Sequence, residues 1–508
     1  MRLTVGLGAR SSASVADVER LLREVLPDPS DVVAVSTVDS RRSLASAVAE
    51  RFGWELVVFG APELAAVPVP SPSARVTSAL GTPSVAEASA RLAAAGGGAS
   101  VLIVEKRSSP VATVAVAAPA PEVVVVGIGA GGDLSPQGRA ALQAAEVVFG
   151  GPRQLALLPD GGAERVAWPS PLVPALPRLL AERHGRRVGV LASGDPMHYG
   201  IGTTLVRLLG AAHVTAVPHP SSVSIACARL GWAVEDVDVV SAVGRDLDAL
   251  RRHLQDGRRV LVLSSGAGTP AEVRRVLSET GFGGSGVTIL EELGGDGERI
   301  HHDPAAARPL NIVAVECRGD GGVPLVPGIA DDRYDTDGQL TKREIRAVTL
   351  AALGPRAGEL LWDVGAGSGS IGIEWMRAHP RCRAVAVEKD PVRAARVTGN
   401  ARRFGVPGLR VVVGDAPAAL DGLPAPDAVF IGGGFTVPGV FEACLTALSS
   451  GGRIVVNAVT VESERLVAEL QARHGGELTR IAVQRAGAVG GFLAWRPMLP
   501  VTQWVVRK

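Results

Sequence analysis

The chain has 508 residues, too many for a single hydrophobic core, and this length predicts about three domains. Hydrophobic residues make up 46% of the chain and aromatic residues only 4%, so Ala, Val and Leu must fill most of the interior. That profile is typical of layered α/β proteins. The 52 Lys and Arg residues balance 51 Asp and Glu residues. A net charge of +1 excludes a strongly basic surface that attracts nucleic acid, and no such partner is expected.

The cysteines and the chain ends bear on location. The four cysteines are far apart, with no Cys-x-x-Cys pair and no His at metal-ligand spacing, so we expect free thiols, no metal and a cytoplasmic protein. Residues 1–6 predict a strand running into a glycine turn rather than a secretion signal. The longest apolar runs are far shorter than the roughly 20 residues that span a bilayer, so no membrane partner is expected.

Two junctions divide the chain, because each combines Pro or Gly with a restart of a strand–glycine pattern. The first is Ala-Ala-Pro-Ala-Pro at 117–121, and the second is the Gly- and Pro-rich stretch 319–327. We therefore predict domains at 1–118, 122–320 and 327–508. Their strands are continuous apolar runs, such as Val-Leu-Val-Leu at 260–263, which predict strands buried on both faces in largely parallel sheets covered by helices.

The first domain begins with a strand, a glycine turn and a helix, and later carries Gly-Thr-Pro-Ser-Val-Ala-Glu at 81–87. Ser84 and Glu87 fit a capping box, which is a purely structural interpretation. The order of these motifs resembles the C-terminal domain of the cobalamin-biosynthesis lactone-opening protein, which implies a small α/β domain. Arg41 stands where that family usually has Lys. The lactone-opening half is absent, so we expect no acetaldehyde-releasing hydrolysis.

The second domain opens with a strand and a Gly-x-Gly-x-Gly turn containing Gly127 and Gly129. Such a turn can bind a dinucleotide, but no acidic residue ends a following strand about twenty residues later, where a ribose needs one. The chain continues with Leu-Ala-Ser-Gly-Asp-Pro-Met-His-Tyr-Gly at 191–200, Pro-His-Pro-Ser-Ser at 218–222 and Pro-Leu-Asn-Ile-Val at 309–313. This order resembles the tetrapyrrole methylase family, and within it the carbon-5 methyltransferases of cobalt-precorrin.

That resemblance implies two unlike α/β lobes that bind S-adenosylmethionine (SAM), using backbone atoms of the Gly-Asp-Pro loop. A plain turn is the alternative for Asp195-Pro196. Val243 stands where the family commonly has His before its Gly-Arg pair, so the role of Arg245 is not assumed. The implied cofactor residues are Gly127, Gly129, Gly194, Asp195, Pro196, Ser221, Ser222 and, near the adenine, Asn311 and Ile312.

The third domain contains a buried strand, an acidic residue, a triple-glycine turn and a helix start at 360–374. A second strand follows and ends at Glu388, which stands at the sequence distance expected of an acidic residue that binds a ribose. A dinucleotide-binding fold would share this pattern, but two later segments, residues 413–416 and residues 426–434, favour a methyltransferase. Together these motifs resemble class I SAM-dependent methyltransferases. The implied cofactor residues are Asp363, Gly365, Gly367, Gly369, Glu388, Asp415 and Gly432.

The segment 337–346 narrows this resemblance to the precorrin carbon-15 methyltransferases that also decarboxylate. Thr341 and Glu344 fit a capping box, so the structural interpretation is a helix start. Lys342, Arg343 and Arg346 would place cations beside the cofactor cleft, which suits a substrate bearing many carboxylates. The three tryptophans of this region, Trp362, Trp375 and Trp504, are expected in the core.

Taken in order, the three domains resemble the precorrin-6Y C5,C15-methyltransferase (decarboxylating) family of cobalamin biosynthesis. The resemblance implies two SAM sites, a precorrin substrate, methylation at carbons 5 and 15, and loss of carbon dioxide from the ring C acetate. We also expect a homo-oligomer. Two alternatives stay open. One is a class I RNA or protein methyltransferase, although aromatic stacking clusters for RNA are missing. The other is a corrinoid-binding scaffold with one inactive site.

Overall fold

The computed structural model describes residues 1–508, with residues 74 and 75 described by their backbone alone. Close packing divides the chain into two units, one of residues 1–234 and 291–299, the other of residues 235–290 and 300–508. Within the described ranges, no helix is both long enough and apolar enough to cross a bilayer. The predicted domain boundaries at 118/122 and 320/327 stay a prediction.

The first sheet has the order β3-β2-β1-β5-β4, in which β1, β2 and β3 are parallel and β5 is antiparallel to both of its neighbours. Its strands are β1 (Leu3–Ala9), β2 (Val32–Val38), β3 (Glu55–Phe59), β4 (Ala99–Ser108) and β5 (Ala112–Ala120). Its helices are α1 (Val15–Val25), α2 (Arg42–Phe52), α3 (Ala61–Ala65), α4 (Ala74–Leu80) and α5 (Val85–Ala95).

The capping box predicted in this sheet is half formed. Ser84 is the N-cap of α5, and its hydroxyl accepts the Glu87 backbone N–H at 3.4 Å. The buried Glu87 carboxylate does not return to Ser84. It accepts the backbone N–H groups of Ser71 at 3.2 Å and Lys106 at 3.1 Å, because its burial requires partners that a solvated cap would not.

The second sheet has the order β10-β6-β9-β7-β8, and all its strand pairs are parallel. It shares one hydrophobic core with the first sheet. Its strands are β6 (Val123–Ile128), β7 (Val147–Gly150), β8 (Glu164–Ala167), β9 (Val188–Ser193) and β10 (Val214–Val217). Its helices are α6 (Pro136–Ala144), α7 (Pro152–Ala156), α8 (Leu172–Ala181), α9 (Ile201–Leu209) and α10 (Ser222–Leu230).

The third sheet has the order β11-β12-β15-β13-β14, with β11 and β12 parallel and β15 antiparallel to β12. Its strands are β11 (Val237–Ser241), β12 (Arg259–Leu263), β13 (Gly286–Glu291), β14 (Arg299–His301) and β15 (Asn311–Glu316), and α11 (Thr269–Glu279) follows β12. The core of this sheet consists of small aliphatic side chains with Phe282 and Cys317.

The fourth sheet has seven strands in the order β18-β17-β16-β19-β20-β24-β21, of which β24 is antiparallel to both neighbours. The strands of this region are β16 (Leu360–Val364), β17 (Arg383–Glu388), β18 (Arg410–Val413), β19 (Ala428–Ile431), β20 (Arg453–Ala458), β21 (Glu477–Ile481), β22 (Gln484–Val489), β23 (Phe492–Pro497) and β24 (Val501–Arg507). The helices are α12 (Arg343–Leu353), α13 (Ser370–Ala378), α14 (Pro391–Arg403), α15 (Val440–Ala447) and α16 (Val461–His474).

These sheets and helices confirm the predicted α/β class, and the three tryptophans expected in the core are at most 1% exposed. Strands β22 and β23 pair only with each other, as a hairpin. The side chains of Phe492, Leu493 and Trp495 on this hairpin are 83%, 77% and 71% exposed. Isolated two-stranded hairpins are marginally stable, so this one depends on further support.

Polar side chains, among them the buried Arg377 cation, hold the segment that joins the third sheet to the fourth. Arg377 donates from Nη2 to the carbonyls of Val323 at 3.1 Å and Pro324 at 3.2 Å. Gln255 donates to the same Val323 carbonyl at 2.8 Å, and Arg333 donates to the Gly321 carbonyl at 3.1 Å. Burial lowers the pKa of Arg377 to about 10, with the nearby Arg252 cation adding to the effect. The guanidinium nevertheless stays charged at neutral pH.

A buried carboxylate anchors the residues before α12. Glu374 on α13 accepts the backbone N–H groups of Gly328 at 2.6 Å and Ile329 at 3.1 Å, the Tyr334 hydroxyl at 3.0 Å, and Arg346 Nε at 2.5 Å. Burial, followed by the adjacent Glu374 carboxylate, raises the pKa of Tyr334 well above its usual value. Tyr334 is therefore a hydrogen-bond donor throughout the physiological pH range.

The predicted Thr341–Glu344 capping box is wrong. Helix α12 begins at Arg343, and its N-cap is Lys342, which makes no side-chain cap hydrogen bond. Glu344 instead forms an ion pair with Arg485 at 2.5 Å. The Thr341 carbonyl accepts Arg346 Nη1 at 2.5 Å, so the buried cation, rather than a threonine hydroxyl, sets the start of this helix.

We predict that Glu374→Gln destabilises the protein by about 3 kcal/mol, because it leaves the buried Arg346 cation without its closest counter-ion. Glu469→Gln is the control, since its pair with Arg465 at 3.7 Å is exposed and should contribute less than about 0.5 kcal/mol. Denaturant unfolding measures both changes. Equal effects of the two variants would contradict the anchoring role.

Candidate cofactor and substrate sites

A cavity of about 770 Å³ lies at the carboxyl ends of the parallel strands of the fourth sheet. Ligands of open α/β sheets bind at this edge, where the turns after the strands present backbone N–H groups. Six of the seven cofactor residues predicted for this region line it, namely Asp363, Gly365, Gly367, Glu388, Asp415 and Gly432. The seventh, Gly369, is the N-cap of α13, packs against Val397 and does not line the cavity.

The glycine turn brings two chain segments into backbone contact. Gly365 has φ +70°, and a Cβ atom there would lie 2.7 Å from the backbone of Gly433, so only glycine fits. Asp363, at the end of β16, is 1% exposed and accepts the Gly372 N–H at 2.9 Å. Burial, with a smaller contribution from the Glu388 carboxylate, raises the pKa of Asp363 to about 7.

Glu388 ends β17 and holds the turn from the other side. Its Oε2 atom accepts the Gly367 N–H at 2.8 Å, and its Oε1 atom accepts the Asp390 N–H at 3.0 Å. A carboxylate has about four lone-pair positions, so these two bonds leave an acceptor on each oxygen. The residue is therefore suited to receive a pair of vicinal hydroxyls, such as those of a ribose.

The structure separates the three predicted substrate cations. Lys342 lines the cavity, whereas Arg343 is exposed and outside the lining. Arg346 is fully buried, pairs with Glu374 at 2.5 Å and Asp331 at 3.2 Å, and also donates to the Thr341 and Ile329 carbonyls. The prediction that Arg346 binds substrate is corrected, because its donors are committed to the protein interior.

Several polar residues of the lining, among them Arg393 and Asn457, were not predicted as site residues from the sequence. Arg393 donates to Asp337 Oδ2 at 2.7 Å, which ties α14 to the segment before α12. Asn457 lies near the end of β20 and donates to Thr349 Oγ1 at 2.8 Å. Its position near the carboxyl end of a parallel strand was the available signal, since the side chains there face ligands.

A second candidate site lies at the carboxyl edge of the second sheet, in the first unit. A Cβ atom on Gly127 would lie 2.1 Å from the Gly194 carbonyl oxygen and 2.6 Å from the backbone nitrogen of His219, so three chain segments meet there. Gly129 follows β6, and its N–H donates to the Asp133 carbonyl at 3.0 Å. The predicted glycines Gly127 and Gly194 are thus brought together.

The other predicted residues of this edge shape its turns. Asp195 Oδ1 accepts the Met197 N–H at 2.7 Å, which is the turn geometry given above as the alternative for Asp195-Pro196. The Pro196 carbonyl accepts the Gly202 N–H at 3.0 Å. Ser221 is the N-cap of α10 and accepts the Ser224 N–H at 3.1 Å, and Ser222 is the first helical residue.

One close contact between side chains at this edge was not predicted. His219 Nε2 lies 2.5 Å from Asp133 Oδ2, and His219 Nδ1 lies 3.2 Å from the Pro220 carbonyl. The two ring nitrogens of His219 thus lie against two acceptor oxygens, one of the Asp133 carboxylate and one of the Pro220 backbone carbonyl. The two residues follow β6 and β10, neighbouring parallel strands of the sheet, which places them at the same edge.

The two residues predicted near the adenine lie in the second unit, at the start of β15. The Asn311 amide accepts Ser264 Oγ at 2.6 Å and donates to the carbonyls of Arg308 at 2.7 Å and Gly266 at 3.3 Å. Ile312 is 4% exposed. The Asn311 side chain is thus used to hold neighbouring loops, which leaves backbone atoms for any contact with a cofactor.

The side chains that the structure describes contain no group of three or more His, Cys, Asp or Glu that could hold a metal ion. The four cysteines are free and buried. Burial raises the pKa of Cys444 to about 12 and, with smaller contributions from neighbouring charges, that of Cys317 to about 11. Both are thiols rather than thiolates at neutral pH.

Three family models match successive parts of the chain. They are described as Cobalamin synthesis G C-terminus over residues 3–117, Tetrapyrrole (Corrin/Porphyrin) Methylases over residues 122–307, and Precorrin methyltransferase domain over residues 332–508. The precorrin-6Y C(5,15)-methyltransferase (decarboxylating) of Sinorhizobium sp is 50% identical over 392 residues, which cover 74% of this chain and 94% of that protein.

Two shorter relatives each match about a third of the chain. The cobalt-precorrin-7 C(5)-methyltransferase of Salmonella typhimurium is 35% identical over 174 residues, which cover 34% of this chain and 85% of that protein. The probable cobalt-precorrin-6B C(15)-methyltransferase (decarboxylating) of Pyrobaculum aerophilum is 35% identical over 183 residues, which cover 34% of this chain and 93% of that protein.

We predict that Asp363 makes stability fall as the pH rises. Its folded pKa of about 7 exceeds the ordinary value of 3.8, so the folded state keeps a proton that the unfolded state releases. The loss should run from about pH 4 to about pH 7 and then level off. Asp363→Asn has no proton to lose, so it should gain stability over the wild type across that window.

Thermal unfolding of both proteins without added ligand, at intervals across this pH range, measures the difference. Because the asparagine oxygen can still accept the Gly372 N–H, packing is matched between the two proteins. Parallel stability curves for the wild type and Asp363→Asn would show that the carboxyl is ionised in the folded protein across the whole window.

Proposed function

Because the chain belongs to the precorrin-6Y C(5,15)-methyltransferase (decarboxylating) family, we propose that it methylates a precorrin at carbons 5 and 15 and decarboxylates its ring C acetate. The observation that carries the proposal is the large cavity of the fourth sheet. It combines the glycine turn and the acidic strand end Glu388 with Lys342, a cation for an acidic substrate. The expected overall conversion is that of precorrin-6B to precorrin-8.

The fourth-sheet cavity is proposed as the carbon-15 site, within residues 327–508. SAM, when bound, supplies an electrophilic methyl group on a sulfonium sulfur. Glu388 would accept the ribose hydroxyls with its free lone pairs, Asp415 would face the adenine, and Gly432 would lie beside the methyl donor. The chain itself mainly has to align the ring carbon with the donor and exclude water, since a reduced tetrapyrrole carbon is already nucleophilic.

The edge of the second sheet is proposed as part of the carbon-5 site, within residues 122–320. The meeting of Gly127, Gly194 and His219 provides a backbone cradle without bulky side chains. Ser221 and Ser222 begin a helix, whose free N–H groups suit the polar end of a cofactor. The contact of Asn311 and Ile312 with the adenine stays a prediction from the sequence.

The expectations about location and assembly are part of the same proposal. Four free cysteines favour a reducing compartment, and we expect a cytoplasmic enzyme. The exposed apolar side chains of the β22–β23 hairpin favour a homo-oligomer, because such a surface gains stability when it is covered. The balanced charge of the chain disfavours RNA as a substrate, and residues 1–118 receive no catalytic role.

We predict that the two methylations can be lost one at a time. Glu388→Ala should weaken SAM binding at the fourth sheet by about 1.5–3 kcal/mol, the usual loss for charge-assisted hydrogen bonds, and should impair carbon-15 methylation alone. Gly194→Ala should strain a turn at φ +62° and impair carbon-5 methylation alone. Isothermal titration should count two SAM sites in the wild type, and in Glu388→Ala one of the two should bind SAM about 10- to 150-fold more weakly.

Incubation of the full chain with SAM and precorrin-6B, followed by mass spectrometry of the product, reads out each methyl gained and the carbon dioxide lost. A wild-type protein that binds SAM but leaves the precorrin unchanged would refute the proposal and favour a scaffold with one inactive site, or a methyltransferase for another substrate. Loss of both methylations in a folded Glu388→Ala protein would refute separate sites.

We further predict that Lys342 and Arg343 differ in importance. Lys342→Gln should raise KM for the precorrin about tenfold, as expected when one charge-assisted contact is lost, and should leave SAM affinity unchanged. Arg343→Gln is the matched control, since this neighbouring cation lies outside the cavity lining, and its KM should change less than about twofold. Steady-state kinetics of carbon-15 methylation at fixed salt measures both. The reverse order of effects would assign the substrate contact to Arg343.

A further inference from the structure

The amide of Asn457 is held in one orientation by two residues. Thr349 Oγ1 donates its proton to the Ile345 carbonyl at 2.7 Å, so this oxygen can only accept from other groups. Asn457 Nδ2 donates to that oxygen at 2.8 Å, and Gln503 Nε2 donates to it at 3.2 Å. The hydroxyl must therefore meet the NH₂ side of the Asn457 amide and not its oxygen.

The opposite end of the same amide is fixed by Gln503. Its Nε2 atom donates to Asn457 Oδ1 at 3.0 Å, and the two residues are directly paired between strands β20 and β24. Gln503 is 3% exposed, whereas Asn457 is partly exposed and lines the cavity. Of the hydrogen-bonding capacity of Asn457, the contacts that the structure describes leave one N–H and one oxygen lone pair for a ligand.

Three residues of the cavity lining that lie near Asn457 along the chain or the sheet are apolar. Ile345 lies one helical turn before Thr349, Val459 lies two residues after Asn457 on the same chain segment, and Val501 begins β24 beside it. A carboxylate placed against Asn457 would thus receive a neutral hydrogen bond and little other solvation. The cation of the lining on α12, Lys342, is its N-cap, two turns before Thr349.

Loss of carbon dioxide is favoured by such surroundings. Methyl addition at carbon 15 leaves a conjugated cation in the ring, which can accept an electron pair. The bond between the acetate methylene and its carboxylate carbon breaks, the pair enters the ring, and neutral carbon dioxide departs. The methylene carbon then takes up a proton, and carbon 15 gives one up. A cation on the carboxylate would stabilise it most before the bond breaks, whereas a neutral donor orients it at lower cost.

From this geometry we infer that Asn457 binds and orients the acetate carboxylate that leaves as carbon dioxide, with Thr349 and Gln503 as positioning residues. The inference rests on the proposed function of the fourth-sheet cavity and adds the residue that governs decarboxylation. Lys342 then binds a carboxylate that the product keeps, whereas Asn457 binds the carboxylate that is lost.

The test compares decarboxylation with carbon-15 methylation in Asn457→Ala, Asn457→Asp and Thr349→Val. Asn457→Asp keeps the shape but presents a second negative charge to the acetate. Both Asn457 variants should slow carbon dioxide release about 100-fold, the usual effect of removing one positioned donor, and accumulate a product that is methylated yet retains its carboxyl. SAM affinity by calorimetry should stay within about twofold of the wild type, since Asn457 is not a cofactor residue.

Thr349→Val leaves Asn457 in place but allows its side-chain amide to rotate, so that its N–H group is no longer always directed at the acetate. The same carboxyl-retaining product should therefore form, in a smaller proportion. If the Asn457 variants fail to bind SAM and are therefore misfolded, the product formed by Thr349→Val tests the role of Asn457 instead. Full decarboxylation in Thr349→Val, or methylation and decarboxylation falling together in a SAM-binding Asn457 variant, would overturn the inference. Absence of carbon-15 methylation in the wild type would instead refute the proposed function.

Discussion

One buried carboxylate, that of Glu374, determines how the residues before α12 cover the fourth-sheet cavity. It receives two backbone N–H groups, a phenol and a guanidinium, all from a stretch of fewer than twenty residues. A charge buried without partners costs several kcal/mol, so this stretch has little freedom to take another path. That path delivers Lys342 to the cavity and directs α12 so that Thr349 meets β20.

The two proposed cofactor sites share a physical plan although their sheets differ in topology. Each lies where parallel strands end, so that backbone N–H groups and short turns face a ligand. In the fourth sheet the turn at Gly365 touches Gly433, and in the second sheet Gly127 touches Gly194. Side chains are excluded at both contacts. A cofactor held mainly by backbone atoms places few demands on side-chain identity, so the spacing of glycines is the main sequence signal of such a site.

The parts of the site that depend on local sequence could be predicted. Asp363, Gly365 and Glu388 occupy fixed offsets in a strand–turn–helix–strand unit, and the structure places all three in the lining. The roles of Arg346 and Asn457 could not be predicted, because each depends on a distant partner. Arg346 is buried by Glu374, 28 residues away, and Asn457 is oriented by Thr349, 108 residues away. No periodicity in the sequence encodes either pairing.

The polar links around Val323 and Pro324 bear on where this chain can be divided. Arg377 belongs to the fourth-sheet region and Gln255 to the third-sheet region, and both donate to carbonyls of the linker. A truncated protein that starts at the predicted boundary, residue 327, would lack these acceptors and leave a guanidinium that is 5% exposed without two of its partners. Gene fission at this point would therefore select for compensating changes near Arg377, and a recombinant fragment would keep its native contacts better if it began upstream of Gly321.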